Sequence, residues 1–112
     1  VHLDLDTGDF IWDPVKGTSI VRVIQELVAN SINHSTANRV RVEMSLKDSI
    51  LQIIYSDNGD GFVIEKVKQG MGIKNITKRI SILDGKMQWN DAKLSQGMNV
   101  TILIPLANLK LK

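Results

Sequence analysis

Segments with the sequence pattern of β-strands follow one another in pairs along this chain, and this order constrains the fold more than any other feature. A turn or a loop separates the members of each pair, and no strict strand–helix–strand alternation is present. We therefore predict an α+β two-layer sandwich, in which a mixed and mainly antiparallel sheet carries helices on one face. The predicted elements are a hairpin over residues 1–12, a helix over 19–34, strands over 40–46 and 50–56, a helix that begins near residue 70, and strands over 86–89 and 99–104.

Alternating apolar and polar residues mark the middle pair of strands. Four apolar residues between Val40 and Leu46 alternate with polar ones, which predicts a half-buried strand. After a turn at residues 47–49, the segment 50–56 is richer in apolar residues. This composition predicts a more central place in the sheet for the second strand.

Apolar residues at helical spacing define the buried faces of both predicted helices. They are Ile20, Ile24, Leu27, Val28 and Ile32 in the first helix and Ile73, Ile76, Ile80 and Leu83 in the second. Thr18 or Ser19 is the predicted N-cap of the first helix. Gly85 is the predicted C′ residue of the second helix.

The composition argues against several classes of function. A net charge of +2 with 4% aromatic residues does not make the dense basic and aromatic surface of a nucleic-acid binder, so no nucleic-acid partner is expected. The absence of cysteine excludes disulfides and thiol catalysis. No apolar run approaches the roughly 20 residues of a membrane span. We therefore predict one cytoplasmic domain over residues 1–112 without direct membrane contact, and the start at Val1 rather than Met suggests a fragment of a longer protein.

Four polar residues form a stripe along the first predicted helix. Glu26, Asn30, Asn33 and His34 lie at positions i, i+4, i+7 and i+8, so they share one side of the helix. The amide oxygen of Asn30 can ligate Mg²⁺, and the carboxylate of Glu26 can polarise an attacking water or hydroxyl. The same pattern is also typical of the solvated side of an amphipathic helix.

Two glycine-containing segments follow the stripe. Asp57-Asn58-Gly59-Asp60-Gly61 comes directly after an apolar strand, where an aspartate can accept a hydrogen bond from an exocyclic amine and glycines let the backbone approach a base. An ordinary turn is the alternative, because these residue types favour turns. Gly70-Met71-Gly72-Ile73 begins a helix, whose N–H groups and dipole favour a phosphate.

The order of the three segments is more specific than any one of them, and it resembles the GHKL superfamily, which includes gyrase, MutL, heat-shock chaperones and histidine kinases. The resemblance covers residues 19–105 and implies the Bergerat ATPase fold, with ATP and Mg²⁺ as ligands. It implies that Glu26 is the catalytic carboxylate, that Asn30 ligates Mg²⁺ and that Asp57 reads the adenine amine. The implied ATP-binding residues are Asn30, Asn33, His34, Asp57, Gly59, Gly61, Gly70, Met71, Gly72 and Ile73.

The helix after the third segment narrows the resemblance to sensor histidine kinases. Residues 72–80 resemble that helix in kinases related to the nitrate and lipid-desaturase sensors, which also have a short ATP lid, as residues 62–69 would be. The resemblance implies transfer of the γ-phosphoryl group to a histidine on an upstream helical dimerisation domain of the same protein, with a response regulator as a further partner. Because His34 lies in the implied nucleotide site, we expect the fragment alone to bind ATP with little turnover.

Two positions depart from the pattern of the family. Asn33 stands where many relatives carry Lys or Arg, and Met98 follows Gly97 where a threonine is usual. Either departure is expected to weaken nucleotide binding. Two alternatives therefore stay open beside the histidine kinase: a GHKL serine kinase or ATPase of the anti-sigma type, and a degenerate interaction module without catalysis.

Overall fold

A five-stranded sheet with two helices packed on it makes up the part of the chain that the computed structural model describes, namely residues 2–3, 12–34, 37–59, 71–89, 97 and 99–110. The elements are β1 (His2–Leu3), α1 (Pro14–His34), β2 (Val40–Lys47), β3 (Ile50–Asp57), α2 (Met71–Ile82), β4 (Lys86–Trp89), β5 (Asn99–Pro105) and a 3₁₀ helix (Leu106–Leu109). Neither described helix is both long and apolar enough to cross a membrane.

The strand order in the sheet is β1-β2-β3-β5-β4. β1 pairs with β2 in parallel, and the other three pairings are antiparallel. The predicted α+β class with a mixed, mainly antiparallel sheet is confirmed, and so is the central place of β3. Most of the hairpin predicted over residues 1–12 lies outside the described residues. Of its described residues, His2 lies beside Glu43 of β2, and Trp12 bridges to Lys110.

The core lies between the two helices and one face of the sheet. Because side chains alternate along a strand, Leu51, Ile53 and Tyr55 of β3 all point to that face, and each is fully buried. They meet the apolar faces of both helices and the inward side chains of β5. The buried set also includes Ile20, Val23, Leu27, Val42, Ile73, Ile76, Ile80, Leu83, Val100, Ile102, Ile104 and Leu109.

α1 begins five residues before its predicted start, so the predicted caps Thr18 and Ser19 are wrong. The helix is capped by Asp13, whose Oδ1 accepts hydrogen bonds from the backbone N of Val15 at 2.9 Å and of Lys16 at 3.4 Å. Pro14 follows as the first helical residue, a position where its fixed φ is favourable and its missing N–H costs nothing.

The buried face of α1 also differs from the predicted one. Ile32 was expected in the core but is 70% exposed, whereas Val23 and Ser31 are buried. A period of 3.6 residues explains the difference, since it aligns positions 20, 23, 27 and 31 more closely than it aligns 32 with them. A serine therefore occupies a core position on this helix.

α2 ends in a Schellman motif rather than at the predicted C′ glycine. The C′ residue is Asp84, with φ of 53°, and the N of Gly85 donates to the O of Ile80 at 2.9 Å. Gly85 is needed for packing instead. A Cβ there would lie 2.9 Å from Cγ2 of Ile80 and 3.0 Å from Cγ1 of Ile104.

The turn between β2 and β3 has two residues with positive φ, Asp48 at 53° and Ser49 at 63°. This is the pattern of a type I′ hairpin turn, which suits the twist of the strands and favours glycine. Ser49→Gly is expected to stabilise the domain by roughly 0.5–1 kcal/mol, because the left-handed conformation is costly for serine and free for glycine. Chemical denaturation measures the change.

The exposed strand residue Ser45 provides the matched control for this substitution. Ser45→Gly is expected to destabilise the domain by about 0.5–1 kcal/mol, because glycine loses more backbone entropy in an extended strand. A loss of stability in both variants would contradict the assignment of the turn.

Candidate functional site

Asp57 lies at the end of the central strand, and the residue as a whole is 9% exposed. Its Oδ2 accepts a hydrogen bond from Oγ of Ser31 at 2.7 Å, and its Oδ1 accepts one from the backbone N of Gly59 at 3.0 Å. Ser31 belongs to α1, so the contact joins this helix to the sheet. Two donors on opposite oxygens fix the plane of the carboxylate.

A second contact extends the polar network into the core. Oγ of Ser31 lies 2.6 Å from the hydroxyl of Tyr55, which also lies 3.1 Å from the carbonyl oxygen of Leu27. Burial raises the pKa of the Tyr55 phenol above its usual value, the hydrogen bond with Ser31 lowers it, and the charge of Asp57 raises it. The phenol therefore stays protonated at neutral pH and acts as a donor.

Gly97 packs directly against Asp57 from the segment before β5. Its φ is 121°, a conformation that L side chains rarely adopt. A Cβ on Gly97 would overlap the backbone carbonyl of Asp57 and lie 2.7 Å from Oδ1 of the same residue. Glycine is therefore the residue that fits beside the carboxylate.

The residue after Asp57 fastens the ends of β2 and β3 together. Oδ1 of Asn58 accepts from the backbone N of Asn38 and of Arg39, both at 2.9 Å, and its Nδ2 donates to Oδ1 of Asn38 at 2.6 Å. The N of Asn58 donates to the O of Arg39 at 3.2 Å. These four contacts, the Asn58 clamp, set the direction in which the chain leaves Asp57.

The polar stripe of α1 lies beside the buried face of the helix. Glu26 and Asn30 are half-buried, and Asn33 is exposed. Among the described residues, Nδ2 of Asn30 is buried without a hydrogen-bond partner. An unpaired buried amide costs free energy, so an external group that pairs with it would be favoured. Because Asn30 precedes Ser31 in α1, the stripe adjoins the Asp57 network.

The remaining predicted site residues are described only in part. His34 ends α1 and Met71 and Gly72 begin α2, and the side chains of His34 and Met71 lie outside the described part. Ile73 is buried in the core. The predicted roles of Gly61 and Gly70, the short lid over residues 62–69 and the departure at Met98 also fall outside the described residues.

One residue of the polar stripe, Asn30, carries a side-chain oxygen that could ligate a magnesium ion. Within the described ranges, no group of three or more His, Cys, Asp or Glu side chains could hold a metal ion by itself. Mg²⁺ usually binds one or two protein oxygens and completes its shell with phosphate oxygens and water. The side-chain oxygen of Asn30 is of the required kind.

Sequence reasoning missed Ser31 and Tyr55. One signal was available for Ser31, because it lies four residues after Leu27 on the apolar stripe of α1. A polar residue at a core position of a helix needs a buried partner. Tyr55 gave no such signal, since tyrosine is an ordinary strand residue.

One family model and several known proteins match this chain in sequence. Residues 16–108 match the family model described as histidine kinase-, DNA gyrase B- and HSP90-like ATPase. The signal transduction histidine-protein kinase/phosphatase DegS of Bacillus subtilis is 26% identical over 106 residues, which cover 91% of this chain and 27% of DegS. The sensor protein VraS of Staphylococcus aureus is 41% identical over 61 residues, which cover 54% of this chain and 18% of VraS.

Solved structures share the fold. A blue-light activated histidine kinase of Erythrobacter litoralis superposes with a TM-score of 0.73 at 20% identity, over 91% of this chain and 33% of that one. The chain thus spans about a quarter of DegS and less than a fifth of VraS.

Proposed function

Because this chain belongs to the family of histidine kinase-, DNA gyrase B- and HSP90-like ATPases, we propose that it binds Mg-ATP and transfers the γ-phosphoryl group to a histidine on a separate helical dimerisation domain. The observation that carries the proposal is the Asp57 carboxylate, which is nearly buried and held by two donors at the end of β3. A fixed carboxylate of this kind accepts a hydrogen bond from the exocyclic amine of adenine.

The polar stripe of α1 would serve the phosphates. The buried Nδ2 group of Asn30, a hydrogen-bond donor, has no partner among the described residues. Glu26 lies one helical turn before Asn30. Bound Mg²⁺ would neutralise charge on the phosphate oxygens. Glu26 would accept the proton of the attacking imidazole, and Asn33 and His34 would lie near the phosphates. The N-terminal turn of α2, with Met71 and Gly72, would offer backbone N–H groups to them.

The proposed partners follow from the chemistry of the acceptor. The chain would act on a phosphoacceptor helical domain of its own protein and, through the phosphohistidine, on a response regulator. Two relatives with this domain carry the names histidine-protein kinase and sensor protein, which supports a place in a two-component system. Because ATP is abundant in the cytoplasm, we place the domain there.

Titration of the chain with ATP, in the presence of Mg²⁺ and again with a chelator, tests the proposal. We expect saturable binding below millimolar ATP that weakens when the metal is removed, and slow hydrolysis without an acceptor. Absence of binding at millimolar Mg-ATP would overturn the proposal and favour an interaction module. Acid-stable phosphoserine instead of acid-labile phosphohistidine on the partner would identify the anti-sigma type of kinase.

Glu26→Gln in the full-length protein is expected to slow autophosphorylation by about 100-fold or more, because an amide cannot accept the proton of the nucleophile. Affinity for Mg-ATP should change by less than about 3-fold, since the substitution keeps the size of the side chain. Radiolabel transfer and nucleotide titration measure the two quantities.

Glu43 provides the matched control. It lies on β2 and pairs with Arg41 at 2.9 Å on the surface, so Glu43→Gln should leave both quantities unchanged. Equal rates for the wild type and Glu26→Gln would remove the catalytic role of Glu26.

A further inference from the structure

Three polar side chains form a continuous hydrogen-bonded chain inside the domain. It runs from the hydroxyl of Tyr55 through Oγ of Ser31 to Oδ2 of Asp57, with separations of 2.6 Å and 2.7 Å. Ser31 is 1% exposed and Tyr55 is fully buried. The two hydroxyls therefore act on Asp57 from within the buried part of the domain.

The direction of the protons in this chain follows from the charge at its end. An ionised carboxylate only accepts hydrogen bonds, so Ser31 must donate its single proton to Asp57. The hydroxyl of Ser31 is then an acceptor toward Tyr55, which makes Tyr55 the donor of the 2.6 Å contact. Its 3.1 Å contact with the carbonyl of Leu27 shares the same proton. Each hydroxyl of the chain thus donates its proton in the direction of Asp57.

We propose that Ser31, supported by Tyr55, is a positioning residue that holds Asp57 as a fixed acceptor and so sets the preference of the nucleotide site for a base with an amino group over one with a carbonyl. The inference rests on the proposed function, in which Asp57 contacts the base. It adds a determinant of base selectivity that lies in the core and does not touch the nucleotide.

Fixing the carboxylate affects the two kinds of base differently. A preorganised acceptor loses little entropy when an amine donor binds. A base with a carbonyl at the same position would place an oxygen against the carboxylate, and a carboxylate held by Ser31 and Gly59 cannot rotate away. If Ser31 is removed, Oδ2 loses one anchor, so the amine is bound less well and the carbonyl is tolerated better.

The test compares ATP with inosine triphosphate, which carries a carbonyl in place of the 6-amino group. Titrations of the Mg²⁺ complexes use the wild type, Ser31→Ala and Tyr55→Phe. Ser31→Ala is expected to weaken ATP binding by about 5- to 10-fold, because the carboxylate that has lost an anchor must be ordered when the amine binds, and to leave the affinity for inosine triphosphate unchanged or raised. Tyr55→Phe is expected to reduce the ratio of the ATP affinity to the inosine triphosphate affinity by about 2- to 3-fold.

Two further variants serve as controls. Ser31→Thr keeps a hydroxyl and is expected to restore most of the ATP preference. Thr101→Ala removes a hydroxyl from the face of β5 that points away from the helices and should change neither affinity. Thermal melts of each variant identify any that fails to fold, and Tyr55→Phe then carries the test in place of the serine variants.

Each outcome is decisive. If Ser31→Ala lowers both affinities by the same factor, or neither, the positioning role is overturned and the proposed function stands. If the folded wild type binds neither nucleotide, the proposed function fails and this inference with it. If Ser31→Ala reduces the ratio of the ATP affinity to the inosine triphosphate affinity, and Ser31→Thr restores this ratio, the result would support both the positioning role and the proposed function.

Discussion

Asp57→Asn is expected to reduce the affinity for Mg-ATP by about 10- to 100-fold. The substitution replaces a charge-assisted acceptor with an amide whose NH2 group cannot accept from the adenine amine. Ser31 and Gly59 donate to opposite oxygens of the carboxylate, and an asparagine has only one oxygen to offer them. One donor is left facing another, which destabilises the folded variant by about 1–3 kcal/mol. The affinity falls because the charge-assisted hydrogen bond to the adenine amine, worth about 1.5–3 kcal/mol, is lost, and each 1.4 kcal/mol is a factor of ten.

Calorimetric titration of the folded variant with Mg-ATP measures this effect, and chemical denaturation measures the accompanying loss of stability. Asp48→Asn makes the same chemical change at the exposed β2–β3 turn and should leave ATP binding unchanged. If Asp57→Asn bound ATP within about 3-fold of the wild type, Asp57 could not be the base contact.

Gly97→Ala is expected to destabilise the domain by about 3 kcal/mol or more. Two costs combine, because the positive φ of 121° strains an L residue and the new methyl group overlaps the carbonyl of Asp57. The overlap also includes Oδ1, so the carboxylate must move. ATP affinity should therefore fall even in the fraction of molecules that stays folded.

Gly17 is the control position, where the same substitution is expected to raise the stability of the domain. It lies within α1, and a Cβ placed there meets no atom within 4 Å, so Gly17→Ala should stabilise the domain by about 0.5–1 kcal/mol. Denaturant midpoints at a constant slope measure both changes. A neutral result for Gly97→Ala would contradict the described contact with Asp57.

The sheet and the second helix were the parts most accessible to sequence reasoning. Strict alternation over β2 and the spacing of the apolar residues of α2 have one structural solution each, and their predicted positions agree with the structure. One error concerns the buried face of α1, and the others fall at the ends of α1 and α2. There, single side-chain hydrogen bonds, such as those of Asp13, decide between neighbouring residues of similar propensity.

The sequence predicted the polar residues of the candidate site but not Ser31 and Tyr55, which hold them in place. Asp57 was singled out because it follows an apolar strand, and the structure does place it at the end of β3. The contact with Ser31 joins residues 26 positions apart, and only the packing of α1 on the sheet brings them together. Local spacing carries no information on such a pair. The roles of Glu26 and Asn30 stay predictions, which the titrations above address.

The Asn58 clamp also bears on the chemical ageing of the protein. An asparagine followed by glycine is the sequence most prone to deamidation, in which the glycine nitrogen attacks the side-chain carbonyl carbon to close a succinimide ring. In this fold the nitrogen of Gly59 donates to Asp57, and the carboxamide of Asn58 is held by Asn38 and Arg39. The reacting atoms are kept out of the geometry of attack. Deamidation at this bond would therefore report on local opening of the nucleotide site.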